Sequence, residues 1–91
     1  MENEYGTIYK ISSIEEYGKL LAYLINNDFN VFRLFWDERD KHQRCYSINY
    51  ATKRVGYSNV NYYKRCGYTV YNAYFTLDQF GNYEIRKGYE L

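Results

Sequence analysis

Residues 53–74 read KRVGYSNVNYYKRCGYTVYNAY, two near-copies of one eleven-residue unit placed end to end. The copies agree at Lys53/Lys64, Arg54/Arg65, Gly56/Gly67, Tyr57/Tyr68, Asn61/Asn72 and Tyr63/Tyr74. Average residue usage gives about one identity in eleven by chance, so the echo is a repeat. Each copy reads as one strand plus its turn, with Lys-Arg and glycine at the connections. Repeating a strand-turn unit extends a meander, and that reading sets the expected fold. The same stretch holds one alternative: Ser58 to Cys66 also reads as a short helix ended by Gly67.

Upstream, one helix is well signalled. Ser13-Ile14-Glu15-Glu16 fits the capping box, and acids in the first turn suit the helix dipole. Ile14, Tyr17, Leu21, Leu24 and Ile25 recur at helical spacing, and Leu20 widens the stripe. Gly18 falls on that face, where a missing side chain would let the helix approach a sheet closely. The helix is expected over Ser13 to Asn27. Thr7 to Ile11 is a strand before it, and Asn30 to Asp37 (NVFRLFWD) a strand after it. Asp37 to Gln43 is a charged loop and Arg44 to Ala51 a strand. The second copy runs on to Asp78, and Gln79 to Asn82 turns into a last strand, Tyr83 to Lys87. The expected fold is α+β, a single domain over 1–91. One N-terminal helix packs on a twisted antiparallel meander of five or six strands, in the order β-α-β-β-β-β-β.

Ninety-one residues bury roughly 60–65% of the surface of the unfolded chain, enough for one modest core. The longest strongly apolar run, Leu20 to Ile25, is far short of the ~20 residues of a membrane span. The N-terminus MENEYGTIYK is acidic and polar, unlike a secretory leader. An intracellular, cytoplasmic protein with no membrane partner is expected, with Cys45 and Cys66 as reduced thiols. Proline is absent, so the chain has no proline-protected sheet edge.

The net charge of +1 hides an asymmetry. Met1 to Asp40 carries eight acids and four bases, whereas Lys41 to Leu77 carries six bases and no acid. The acid-free stretch also holds eight of the fourteen tyrosines. Lys and Arg neutralise phosphates, and aromatic faces stack unpaired bases. The candidate binding residues are therefore Arg44, Lys53, Arg54, Tyr57, Tyr62, Lys64, Arg65, Tyr68 and Tyr74. Geometry adds a reason to expect open rings. A helix of about 15 residues is ~22 Å long and ~10 Å wide, whereas five or six strands span about 24–29 Å. One helix leaves much of such a sheet bare, so the sheet curls, pairs with a second copy, or keeps an aromatic face for a ligand.

Catalytic signals are weak. His42 is the only histidine, which removes His-based relays. His42, Cys45 and Cys66 with Asp40 lack the paired spacing of a zinc site. Asp37, Glu38 and Asp40 lack the accompanying pattern of a Mg²⁺ nuclease. Cys45 has no positioned base, and no glycine loop leads into a lysine-bearing helix start. The expectation is a non-enzymatic protein without metal or cofactor. Its partner is a nucleic acid, or a nuclease or other nucleoprotein that handles one. The rival is a phage or mobile-element inhibitor of a host defence nuclease, of anti-restriction or anti-CRISPR type. Nine Asn, three Ala and no Pro suggest the AT-rich coding of such elements. A homodimer joined through its tyrosine face is compatible with either.

Overall fold

A computed structural model describes residues 5–39 and 44–91. Its elements are β1 (Thr7–Lys10), α1 (Ile14–Asn26), β2 (Cys45–Asn49), β3 (Arg54–Ser58), α2 (Val60–Arg65), β4 (Val70–Leu77) and β5 (Tyr83–Glu90). The architecture is α+β, with one five-stranded sheet and two helices.

α1 forms where its local signals lie. Ser13 stays extended (φ −151°, ψ 163°), and its Oγ accepts the Glu16 N–H at 3.2 Å. The Glu16 carboxylate accepts the Ser12 N–H at 2.9 Å, so the capping box closes one residue further back than its usual form. The buried stripe is Tyr17, Leu20 and Leu24, with Leu21 beside it. Ile14 and Ile25 are exposed, and Gly18 has open space where a side chain would stand. Gly18 sits roughly 100° round the axis from Tyr17, so it does not mediate the contact expected of it.

The repeat folds two ways. Its first copy gives β3 and then turns helical, because Asn59 stands where the second copy has Val70. The Asn59 side chain accepts the Tyr62 N–H at 2.7 Å and caps α2. Lys64 and Arg65 occupy the last turn, favourable to the dipole, and Gly67 (φ +88°) ends it. β-branched Val70 instead opens β4. The helical alternative for 58–66 is the one realised, and the two copies share residues without sharing structure.

The antiparallel meander is corrected. Strand order is β3-β2-β1-β4-β5, with β1 antiparallel to β2 but parallel to β4 through Ile8↔Val70 and Lys10↔Asn72. α2 is the reason, because it carries the chain across the sheet and brings β4 down on the far side of β1. The strand expected over 30–37 is absent. Asn30 Oδ1 accepts the Phe32 N–H at 2.9 Å, and Leu34 N–H donates to Val31 O at 3.0 Å, so the segment breaks into turns. Its Val31, Leu34 and Trp36 nevertheless pack inward, with Phe29 just ahead of them. The β4–β5 hairpin forms as expected: Asp78 Oδ1 accepts both the Phe80 and Asn82 N–H groups, and β5 runs on to Glu90.

Two apolar clusters hold the sheet. On the helix face, Tyr9, Ile11, Tyr46, Ile48 and Ala73 meet α1 and Phe29. On the opposite face, which we call the crossover face, Ile8, Cys45 and Val70 meet Tyr63 of α2. Each fully buried aliphatic side chain contributes about 1.5–3 kcal/mol.

The second cover over 29–36 and the crossover helix change the fate of the tyrosines. Of fourteen, only Tyr50, Tyr74 and Tyr89 are exposed. The broad wet tyrosine face expected from composition is therefore largely sealed. Sealing is tolerable because the hydroxyls find partners inside. Tyr46 donates to Phe35 O at 2.9 Å, and the Tyr5 and Tyr62 hydroxyls share a 2.9 Å bond.

A pH dependence follows. Burial pushes the Cys45 thiol from 9.0 up to about 11, and Tyr46, Tyr9, Tyr17 and Tyr63 upward from 10.0. Each group holds its proton more tightly folded than unfolded. Its stabilisation is whole below the unfolded pKa and is lost as pH rises through the folded value. Denaturant midpoints are expected to hold level up to about pH 8.5, below the unfolded thiol value, and to fall from there toward pH 11. A midpoint unchanged at pH 11 would contradict the burial of these groups.

Candidate functional site

The nine candidate residues do not converge. Arg44, Lys53 and Tyr57 belong to the helix-face side, where their groups are used internally. The Arg44 guanidinium lies 4.3 Å from the Trp36 ring centre and donates to Glu38 O at 3.1 Å. It also stands 3.5 Å from the Glu38 carboxylate, while Trp36 Nε1 donates to that carboxylate at 2.8 Å. Lys53 Nζ donates to Asn27 O at 3.0 Å, satisfying the C-terminal end of α1, and lies over the Phe29 ring. Tyr57 is wedged between Phe35, at 4.8 Å between ring centres, and Tyr46. Each of the three has partners within the fold.

The other six lie on the crossover face. Tyr62 and Tyr68 close a ring cage about Tyr5. The Tyr5 and Tyr62 hydroxyls are 2.9 Å apart, the Tyr5 N–H donates to the Tyr68 hydroxyl at 3.0 Å, and the rings meet edge-on. Hydrogen bonds with Tyr5 and then Cys66 raise the Tyr62 hydroxyl pKa well above the usual phenol range. The cage ties residues ahead of β1 to α2. Lys64 and Arg65 are exposed and, with Asn59 and Asn61, line an open concavity of about 590 Å³. Arg54 lies on the same side, because its neighbour Val55 packs toward the helix face. With Tyr5, Ser47, Asn49, Val55 and Gly56 it lines a cleft of about 160 Å³. Among the described residues Arg54, Lys64 and Arg65 enter no ion pair.

Tyr74 is 59% exposed on β4, on the part of the crossover face that α2 leaves bare. Alternation fixes its direction: Ala73 and Phe75 pack on the helix face, and Val70 on the other. Arg86 stands opposite Tyr74 in register, and Lys10 opposite Asn72 one step down the sheet. Glu84 is on the same face, 3.0 Å from the Arg86 guanidinium. Lys10, Arg86 and Tyr89 were not anticipated by sequence reasoning. Lys10 and Arg86 alternate with inward-facing Tyr9 and Ile85, a signal available in principle. Tyr89 depends on a strand irregularity that no local pattern marks.

Both cysteines are free, Cys45 buried and Cys66 exposed. Among the described residues no three His, Cys, Asp or Glu side chains gather in a metal-binding arrangement. His42 and Asp40, named above as weak ligand candidates, lie outside the described residues, as does the end of the charged loop. No helix among the described residues is long and apolar enough to cross a membrane. No family model, curated protein or solved structure matches this chain. Its function is read from the chemistry of this face.

Proposed function

We propose that the protein is a non-enzymatic binding protein whose crossover face engages a nucleic acid. One observation carries the reading. Lys10, Arg54, Lys64, Arg65 and Arg86 share one side of the sheet, and among the described residues Glu84 is the single strand carboxylate placed among them. Such a surface releases counterions on meeting phosphates, and Asn59 and Asn61 add amide donors beside the cations. The Glu84–Arg86 pair does not neutralise it, since Lys10, Arg54, Lys64 and Arg65 make no ion pair among the described residues.

Anisotropy titration of labelled RNA and DNA oligonucleotides between about 25 and 300 mM salt tests this. Three to five phosphate contacts give a slope of log Kobs against log salt of roughly −2 to −4. Absence of binding at the lowest salt, or binding without a slope, would sink direct nucleic-acid recognition.

A second reading draws on other residues. Phe32 and Phe80 are 89% and 78% exposed, each in a turn. Exposed aromatic anchors of that kind suit protein-to-protein docking, as in an inhibitor of a nuclease. Under that reading, substitutions at Arg54 and Arg65 alter affinity only for the partner, and the losses need not follow salt.

A further inference from the structure

We infer that the nucleic acid is single-stranded and stacks unpaired bases on Tyr74 and Tyr89. This rests on the nucleic-acid reading above and narrows it to one ligand class.

The placement of Tyr89 is the starting point. From Tyr83 to Lys87 the hairpin register is regular, with Lys87 opposite Ala73. Two residues further down β4, Tyr71 faces Glu90 rather than Tyr89, so Gly88 and Tyr89 together oppose Asn72. This is a β-bulge with one extra residue on β5. Under strict alternation Tyr89 would follow Lys87 onto the helix face. The extra residue turns it onto the crossover face with Asn72 and Tyr74, where it is 67% exposed. Gly88 makes the bulge feasible, since a Cβ there would stand 2.6 Å from the Asn72 carbonyl oxygen. The irregularity therefore delivers a second ring to a part of the sheet that α2 leaves bare, next to Tyr74.

Neither ring is needed by the core. Both lie outside the two apolar clusters, whereas the tyrosines of α2 and its cage are half-buried or buried. Diagonal neighbours on adjacent strands stand about 7–8 Å apart. Bases in a duplex stack at ~3.4 Å and cover one another's faces, so a duplex has no base face to offer two rings at that spacing. A splayed single strand does, and every base has a face to stack. The surrounding cations suit the same ligand. Arg86 lies across from Tyr74 and Lys10 across from Asn72, cations for the backbone beside the rings.

The test is a competition at one fixed salt between a single-stranded oligonucleotide and a hairpin duplex of the same sequence. The single strand is expected to bind at least ten times more tightly. Tyr74→Ala and Tyr89→Ala should each lower single-strand affinity roughly five- to 150-fold, with the salt slope unchanged. Tyr74→Phe and Tyr89→Phe should stay within about twofold, because stacking uses the ring and not the hydroxyl. Circular dichroism checks that each variant is folded. Should an alanine variant unfold, ultraviolet crosslinking of the unaltered protein and peptide mapping read the same contact. Adducts at Tyr74 or Tyr89 support the inference, and adducts only elsewhere overturn it. Salt-dependent binding indifferent to these rings, or a duplex bound as tightly as the strand, overturns the inference alone. No binding to either ligand at low salt overturns the nucleic-acid reading with it.

Discussion

Gly6→Ala is expected to remove roughly 3 kcal/mol or more of stability, a large share of the ~5–15 kcal/mol typical of a domain. Gly6 precedes β1 at φ +79°, and an added Cβ would collide with Ile48 O and stand 2.7 Å from Asn49 Cα. Both atoms are backbone, so relief requires separating β1 from β2 at the centre of the sheet. The positive φ alone costs about 1–2 kcal/mol. Gly81 supplies the control, since it has φ +81° in the β4–β5 turn with nothing within 4 Å of an added Cβ. Gly81→Ala should lose only the conformational part, about 1–2 kcal/mol. Chemical denaturation of both variants measures the difference. Equal losses would mean that the close approach of β1 to β2 is absent.

The second large effect concerns affinity. Combining Arg54→Gln, Lys64→Gln and Arg65→Gln removes three cations of the crossover face that make no ion pair among the described residues. At ~0.7 counterions released per contact with a single strand, the salt slope should flatten by about 2 and affinity at 0.1 M salt should drop about 100-fold. Folding should be little affected, because these side chains are exposed. Arg44→Gln is the contrast. It empties the space over Trp36 and removes the ion pair to Glu38, so it should lower the unfolding midpoint while leaving the salt slope intact. If Arg44 moves the slope and the other three do not, the binding surface lies on the helix face instead.

The comparison of Arg44 with Arg65 shows where residue patterns stop being informative. Both lie in the same acid-free stretch, and composition treats them alike. One is stacked and ion-paired between β2 and the 29–39 segment, and the other, on α2, makes no ion pair among the described residues. Tyrosine misleads in the same way. Its ring gains from burial and its hydroxyl requires a partner, so exposure depends on whether the fold supplies one. Phe35 O does so for Tyr46, and Tyr5 does so for Tyr62. Tyr74 was identifiable by strand alternation, but its companion Tyr89 was not, because a bulge reverses the alternation that would have placed it.

By itself the sequence determined the capped helix α1, the hairpin turn at Asp78 to Asn82, the strands at 45–49 and 70–77, and the concentration of cations between Lys41 and Leu77. These rest on hydrogen bonds within about four residues, or on alternation along one strand, and local residue choice controls both. Only the tertiary structure decided the rest: the parallel seating of β1 beside β4, the sealing of most tyrosines, and the bulge that turns Tyr89 outward. Those depend on pairs such as Ile8 with Val70, more than sixty positions apart along the chain. Burial in two clusters stabilises that pairing, and apolar burial has no direction and so leaves no local pattern to read.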